Sequence, residues 1–200
     1  MANFYDFAPL LHSLEKGVAD HKEDKGGFTV DGVTLSTFRR YYGDDKTRDD
    51  LLAMTAGEWA FIMKSGYWDK AKADQIDNQK IAEIIADWCV NSGTARIRDV
   101  QAILGVKPDG VVGAITLKAI NGSDAAELYR RLMLARVGWY EKIVARNPSQ
   151  KVFLKGWMNR LKRLDDGKQS EMFCDSDNSV ACRFLCNSES NAGQKGFDSH

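Results

Sequence analysis

The chain has 200 residues, a length that allows one domain with its own hydrophobic core plus an appendage. Its composition, 44% hydrophobic and 28% charged, is that of a folded globular protein rather than a disordered one. Lys and Arg together number 28, as do Asp and Glu, so the formal net charge is zero. Because a zero net charge supplies no overall basic field, we expect no nucleic-acid partner.

The N-terminal residues do not predict a secretory signal peptide. The stretch MANFYDFAPLLHSLEKG lacks the basic start and the apolar segment of a secretory signal peptide. No apolar run elsewhere reaches the length of a membrane-spanning helix. We therefore expect a protein made in the cytoplasm without a signal peptide and without stable membrane insertion.

The first predicted element is a helix near the N-terminus. Phe7, Leu10, Leu11 and Leu14 follow the spacing of one helical face, and Asp6 is the expected cap. Glycine favours the position just after a helix, so the helix is expected to end before the Gly that follows Lys16.

Residues 18–34 lose the helical period. Their turn signals, DKGG and VDG, predict a small β-hairpin or an ordered loop. Thr34 is then placed to cap a short helix that Gly43 stops. Two further Thr-x-x-acid starts, Thr47–Asp50 and Thr55–Glu58, predict the next helices.

The second half of the chain is predicted to be helical up to a polar tail. An apolar stripe of Ile81, Ile84, Ile85 and Trp88 predicts a long helix. Ser123 is expected to cap the longest helix, and one more follows before the chain turns Ser-, Asn- and Gly-rich after about residue 166. The sequence thus predicts a mainly α fold with one small β element near its start.

The cysteines give no metal site. Cys89 lies on the apolar side of a predicted helix and is expected to pack as a small hydrophobic side chain. Cys174, Cys182 and Cys186 fall in the tail with spacings that fit a zinc site poorly. A disulfide in an oxidising compartment is the alternative. No metal and no cofactor are expected.

Glu15 is the first candidate catalytic residue. It occupies the last turn of the first helix, where the unpaired carbonyls form the negative end of the helix dipole. Burial and this dipole both favour the protonated carboxyl over the carboxylate. A carboxyl that keeps its proton near neutral pH is what a glycosidase uses to protonate a leaving oxygen. The alternative is a solvated surface glutamate.

Polar residues after the helix complete a candidate site. Asp24 lies in a loop, Gly26 and Gly27 follow it and leave space for a bulky ligand, and Thr29 adds a hydroxyl. Two acidic groups of this kind can flank a scissile glycosidic bond. Ordinary turn chemistry is the alternative for an aspartate close to glycines.

Four ordered segments resemble one known family. LEKG…DKGGFTVDGVTLSTF resembles the Glu-Gly-Gly…Asp-Pro-Gly-Gly-x-Thr-x-x-Gly-Ile-Thr signature of the glycoside hydrolase family 108 muramidases, a family of prophage endolysins and secretion activators. SGYWDKAKADQI and IADWCVNSGTARIRDVQAILGVKPDGVVGAIT resemble its middle segments. RNPSQKVFLKGWMNRL resembles the end of its C-terminal peptidoglycan-binding region, so the resemblance spans roughly residues 7–164.

The resemblance implies a lysozyme-like helical domain that hydrolyses the β-1,4 bond between N-acetylmuramic acid and N-acetylglucosamine in peptidoglycan. It implies a catalytic region over residues 1–92 and a helical peptidoglycan-binding region over 93–165. The polar composition of residues 166–200 predicts a flexible, Cys-containing tail there. Peptidoglycan is the expected partner, with a holin-type protein for export. The protein would then act at the cell wall or in the periplasm after release.

The resemblance also assigns roles within the candidate site. Glu15 matches the family's catalytic glutamate and would be the general acid. Asp24 and Thr29 match the aspartate and first threonine of the motif, which suggests a nucleophile or base and a water-positioning hydroxyl. Lys16 and Lys25 replace a Gly and a Pro of the motif, and a cation at Lys16 that reached Glu15 would oppose the effect of the helix dipole.

Four other residues are candidates for substrate binding. Sugars stack on aromatic faces, so Tyr67 and Trp68 either form a cleft wall or pack in the core. Asp87 and Asn91 lie four residues apart on one helical face, where they either bond to each other or line the groove beside Glu15. Two other classes of function stay open: a wall-binding secretion activator without hydrolysis, and a structural phage protein.

Overall fold

The computed structural model describes residues 1–20 and 27–165. Two compact units divide the chain, unit 1 from Met1 to Leu128 and unit 2 from Tyr129 onward. The division falls inside a helix, so it differs from the expected boundary near residue 93, which stays a prediction. The predictions for Asp24, Gly26, Lys25 and the 166–200 tail with its three cysteines lie outside the described residues.

Unit 1 is mainly α-helical, as predicted. Its described helices are α1 (Phe4–Glu15), α2 (Leu35–Tyr42), α3 (Arg48–Leu52), α4 (Ala56–Met63), α5 (Gln79–Ser92), α6 (Ile97–Leu104) and α7 (Ala114–Asn121), and α8 (Ala125–Arg146) begins in it. A single π-helical turn, Lys64–Trp68, directly follows α4. Such turns often occur at functional sites, and this one carries a candidate residue.

The predicted hairpin is present as a small antiparallel sheet. Its three strands are β1 (Val18–Ala19), β2 (Thr29–Val30) and β3 (Val33–Thr34), in the order β1-β2-β3. Asp31 and Gly32 form the turn between β2 and β3, with φ angles of 46° and 78°. Positive φ at both central residues is the geometry that two-residue hairpin turns prefer and that Asp-Gly favours.

Most helix starts agree with the sequence, and two differ. Thr34 and Gly43 bound α2, and capping boxes at Thr47–Asp50 and Thr55–Glu58 begin α3 and α4. Helix α1 begins earlier than predicted, because the side chain of Asn3 rather than Asp6 accepts the bond from the first turn. At α8 the cap is Asp124, whose carboxylate accepts from the Glu127 N–H at 2.8 Å, rather than Ser123.

Helix α5 forms the centre of the unit 1 core. Its predicted stripe is confirmed, since Ile81, Ile84, Ile85 and Trp88 are all buried. Cys89 is also buried, in a cluster with Ile97 and Val112, as its apolar position predicted. Each large apolar side chain buried in this way stabilises the fold by about 1.5–3 kcal/mol.

Unit 2 contains the rest of α8, a 3-10 turn (Pro148–Gln150) and α9 (Lys151–Asp165). The rings of Tyr140 and Trp157 stack with centroids 5.0 Å apart, which brings the two helices side by side. The described helices include none with the length and hydropathy needed to cross a membrane.

Candidate functional site

Helix α1 presents Glu15 at its very end. The next residue, Lys16, leaves the helical conformation and is exposed. Glu15 itself is half-buried and lies against the hairpin turn. Gly32 faces it so closely that a Cβ added there would overlap the Glu15 carboxyl group. A glycine at this turn position therefore makes the space that Glu15 occupies.

Asp31 connects this turn to the residues before and after Glu15 in the sequence. Its carboxylate accepts the Gly17 N–H at 2.7 Å and lies 3.1 Å from Nε2 of His12. Its N–H donates to the Gly17 carbonyl at 2.8 Å, and its carbonyl accepts from the Trp59 indole at 2.9 Å. The sequence predicts Asp31 only as part of the VDG turn, and the Asp-Gly pair is the one local signal for its position.

Tyr67 is a side chain that is affected by the charge of Glu15. Its ring packs against the buried Cys89 cluster, which holds it in place. Burial raises the pKa of the Tyr67 hydroxyl, and the charge of Glu15 raises it further. The hydroxyl thus stays protonated and can donate a hydrogen bond in the field of Glu15.

Tyr67 also lines a cavity of about 360 Å³ in unit 1. The other lining residues are Thr37, Arg40, Tyr41, Ile62, Gly66, Lys70, Gly93 and Thr94. Two of them carry a positive charge and none carries a negative one. Arg40 donates to the Thr37 hydroxyl at 3.3 Å, which steadies one cation at the cavity wall. The cavity is polar enough for a sugar and suited to an anionic group.

Trp68, next to Tyr67, packs in the core instead. Only 1% of its surface is exposed, and its indole donates to Asp74 at 2.5 Å. Its ring stacks on Phe7 and meets Phe4 edge-on. Of the two readings that the sequence allowed, core packing describes Trp68, which has almost no surface to offer a ligand.

The two candidates on α5 differ in exposure. Asp87 is completely buried, whereas Asn91 is half-buried and accepts a bond from the Ser92 hydroxyl at 3.2 Å. Asn91 therefore keeps some surface for a ligand, and Asp87 has none.

Thr29 and Gly27 lie beside the hairpin. Thr29 pairs with Ala19 and Thr34 in the sheet and is half-buried. Its hydroxyl donates to the Gly27 carbonyl at 3.0 Å. Gly27 has a φ of 67°, and a Cβ there would meet no atom within 4 Å. The glycine is thus needed for the backbone turn and leaves open space next to it.

A buried glutamine organises the region after α6. Nε2 of Gln101 donates to the Asp109 carboxylate (2.9 Å), the Val111 carbonyl (3.0 Å) and the Thr116 hydroxyl (3.2 Å). Its Oε1 accepts the Gly110 N–H at 2.7 Å. One side chain therefore joins the whole Asp-Gly-x-x-Gly-x-x-Thr segment to α6.

Gln101→Ala is expected to lower the free energy of unfolding by about 2–4 kcal/mol, because it leaves a cavity and several buried polar groups without their partner. Chemical denaturation measures this loss. The matched control is Gln75→Ala, which removes an exposed glutamine side chain and should change stability little. Equal stability of the two variants would contradict a bracing role for Gln101.

Comparison with known proteins gives three findings. The family model described as Glycosyl hydrolase 108 matches residues 9–93, and the one described as Predicted Peptidoglycan domain matches residues 95–162. A search of curated proteins finds no match. Among solved structures the chain is similar to Brucella abortus SagA, with 29% identity, a TM-score of 0.70 and coverage of 92% of this chain and 97% of that chain.

Proposed function

We propose that this chain is an N-acetylmuramidase, on the premise of two matches. Residues 9–93 match the glycosyl hydrolase 108 family model, and residues 95–162 match the model of a predicted peptidoglycan domain. The two matches support a protein that hydrolyses or binds peptidoglycan. The observation that carries the finer proposal is the placement of Glu15, which ends α1 and abuts Gly32. Its charge also raises the pKa of Tyr67, a residue that lines the cavity.

In the proposed reaction Glu15 is the general acid. Its proton passes to the glycosidic oxygen as the bond from C1 of N-acetylmuramic acid to that oxygen breaks, so N-acetylglucosamine leaves as an alcohol. Positive charge develops at C1, and a water molecule finally supplies the new hydroxyl there. Asp24 is proposed to stabilise this carbon or activate the water, and Thr29 to position the water.

The hairpin turn would keep Glu15 in position for this transfer. Asp31 holds the backbone after Glu15 by accepting the Gly17 N–H. Its carboxylate also contacts His12, which lies about one helical turn before Glu15 in α1. Tyr67 supplies a hydroxyl that can donate to the substrate or to Glu15. Groups held in this way lose little entropy on reaching the reactive geometry.

The cationic cavity suggests how peptidoglycan is selected. N-acetylmuramic acid carries a lactyl group and a peptide with carboxylates, whereas chitin is neutral. We expect Arg40→Gln with Lys70→Gln to weaken binding of soluble peptidoglycan fragments about threefold to tenfold, since each exposed charge contributes up to about 1 kcal/mol. Binding of neutral chitin oligosaccharides, measured by the same titration, should not change. An equal loss for both ligands would contradict charge selection.

The second class of function is peptidoglycan binding without hydrolysis, which the match to a peptidoglycan domain favours. Purified peptidoglycan separates the two classes. Hydrolysis predicts that the suspension clears and that new reducing ends form. Co-sedimentation with peptidoglycan, but no clearing and no new ends, would contradict the muramidase and favour the binding protein.

A further inference from the structure

Positive charge is concentrated in unit 2, although the whole chain is neutral. Residues 129–165 contain ten Lys or Arg against two Asp or Glu. Residues 1–128 have the opposite balance, with 15 basic and 20 acidic residues. The net charge of the chain therefore conceals a strongly basic segment, residues 129–165, and such a segment creates its own local field.

The basic residues continue through the connection between α8 and α9. Residues 142–164 contain seven Lys or Arg and no Asp or Glu. Lys142 and Arg146 are exposed at the end of α8, and Lys151 and Lys155 are exposed at the start of α9. The segment 142–155 thus presents four exposed cations. We call it the hairpin tip; it joins helices α8 and α9 and is distinct from the β-hairpin turn at Asp31 and Gly32.

The hairpin tip also exposes two apolar side chains. Val152 is 76% exposed and Phe153 is 52% exposed, directly beside Lys151. The opposite face of α9 holds its buried side chains, among them Met158 and Leu161. A simple polyanion such as polyphosphate can use only the lysines, whereas an anionic lipid surface accepts both the lysines and the apolar side chains.

We propose that the hairpin tip docks on the surface of a bilayer containing anionic phospholipids. Lys142, Arg146, Lys151 and Lys155 face the lipid phosphates, while Val152 and Phe153 enter the headgroup region. The contact is peripheral, because neither helix crosses the bilayer. This binding activity is separate from hydrolysis and would hold the protein at a membrane.

Vesicle sedimentation of the full chain tests this proposal. The protein should sediment with vesicles of phosphatidylcholine and phosphatidylglycerol, but not with phosphatidylcholine alone, and added salt should release it. Lys151→Gln with Lys155→Gln should weaken the partitioning at least about tenfold. The charge-matched control, Lys107→Gln with Lys118→Gln, removes two exposed lysines of unit 1 and should leave partitioning unchanged.

Substitutions of Val152 test whether the hairpin tip binds a lipid surface or a soluble polyanion. Val152→Trp should strengthen vesicle binding and Val152→Ser should weaken it, and neither should alter binding to soluble polyphosphate. Circular dichroism checks that each variant is folded. The proposal is overturned if anionic vesicles do not bind, if both Val152 variants bind them equally, or if the Lys151/Lys155 variant loses only peptidoglycan binding. Peptidoglycan clearing is measured on each variant as a separate readout, so failure of the proposed hydrolysis can be told from failure of vesicle binding.

Discussion

Glu15→Gln is expected to reduce peptidoglycan hydrolysis at least about a thousandfold. Glutamine has the size of glutamate but no acidic proton, so it cannot protonate the leaving oxygen. Because the substitution is nearly isosteric, the position of α1 against the hairpin turn should be kept. Release of reducing ends from purified peptidoglycan measures the rate, and co-sedimentation measures binding, which we expect to persist.

The matched control for this experiment is Glu141→Gln, which removes the charge of an exposed glutamate in unit 2. Its hydrolysis rate should equal that of the unaltered protein. Undiminished hydrolysis by a folded Glu15→Gln variant would remove Glu15 from the mechanism.

Gly32→Ala is expected to lower hydrolysis about a hundredfold or more, because misplacing a catalytic group by about 1 Å is enough for such a loss. The new Cβ would overlap the Glu15 carboxyl, so Glu15 or the turn must move. A non-glycine residue at the φ of 78° also costs about 1–2 kcal/mol of stability. Parallel measurements of hydrolysis and of chemical denaturation separate the two effects.

Gly105→Ala is the matched control. Gly105 ends α6 with a φ of 72°, so alanine meets a similar backbone strain there. A Cβ at Gly105 would contact nothing within 4 Å. We expect a similar loss of stability in both variants and a loss of activity at Gly32 alone. Full activity of Gly32→Ala would contradict the claim that this turn shapes the space for Glu15.

The sequence predicts best those features that depend on neighbouring residues. The caps of α2, α3 and α4 were predicted correctly, because a capping side chain and the N–H it accepts lie within three residues. The predicted hairpin was found for the same reason, since Asp31-Gly32 is a local turn signal. The position of Glu15 at a helix end followed from the apolar stripe and the glycine after it.

Features that depend on contacts between distant residues were harder to predict. Asp31 bonds to His12, Gly17 and Trp59, and nothing near Asp31 in the sequence reveals these partners. Tyr67 and Trp68 looked equivalent, yet one lines a cleft and the other packs on α1. Neighbouring residues in a helical turn point in different directions, so which one faces the core depends on the tertiary packing.

The distribution of charge was missed for a different reason. Net charge sums over the whole chain, and the acidic unit 1 cancels the basic unit 2 in that sum. The absence of a global basic field is therefore compatible with a local one at the hairpin tip. Only the structural division at Leu128 shows that the positive charges share one compact unit.

Analysis of the cleavage products tests the central claim most directly. Purified peptidoglycan is digested with the full chain, the new ends are reduced with borohydride, and the fragments are identified by mass spectrometry. A muramidase with Glu15 as its acid predicts reduced N-acetylmuramic acid at the new ends, and Glu15→Gln should produce none. Reduced N-acetylglucosamine ends, or anhydro ends that resist reduction, would contradict the proposed bond and mechanism.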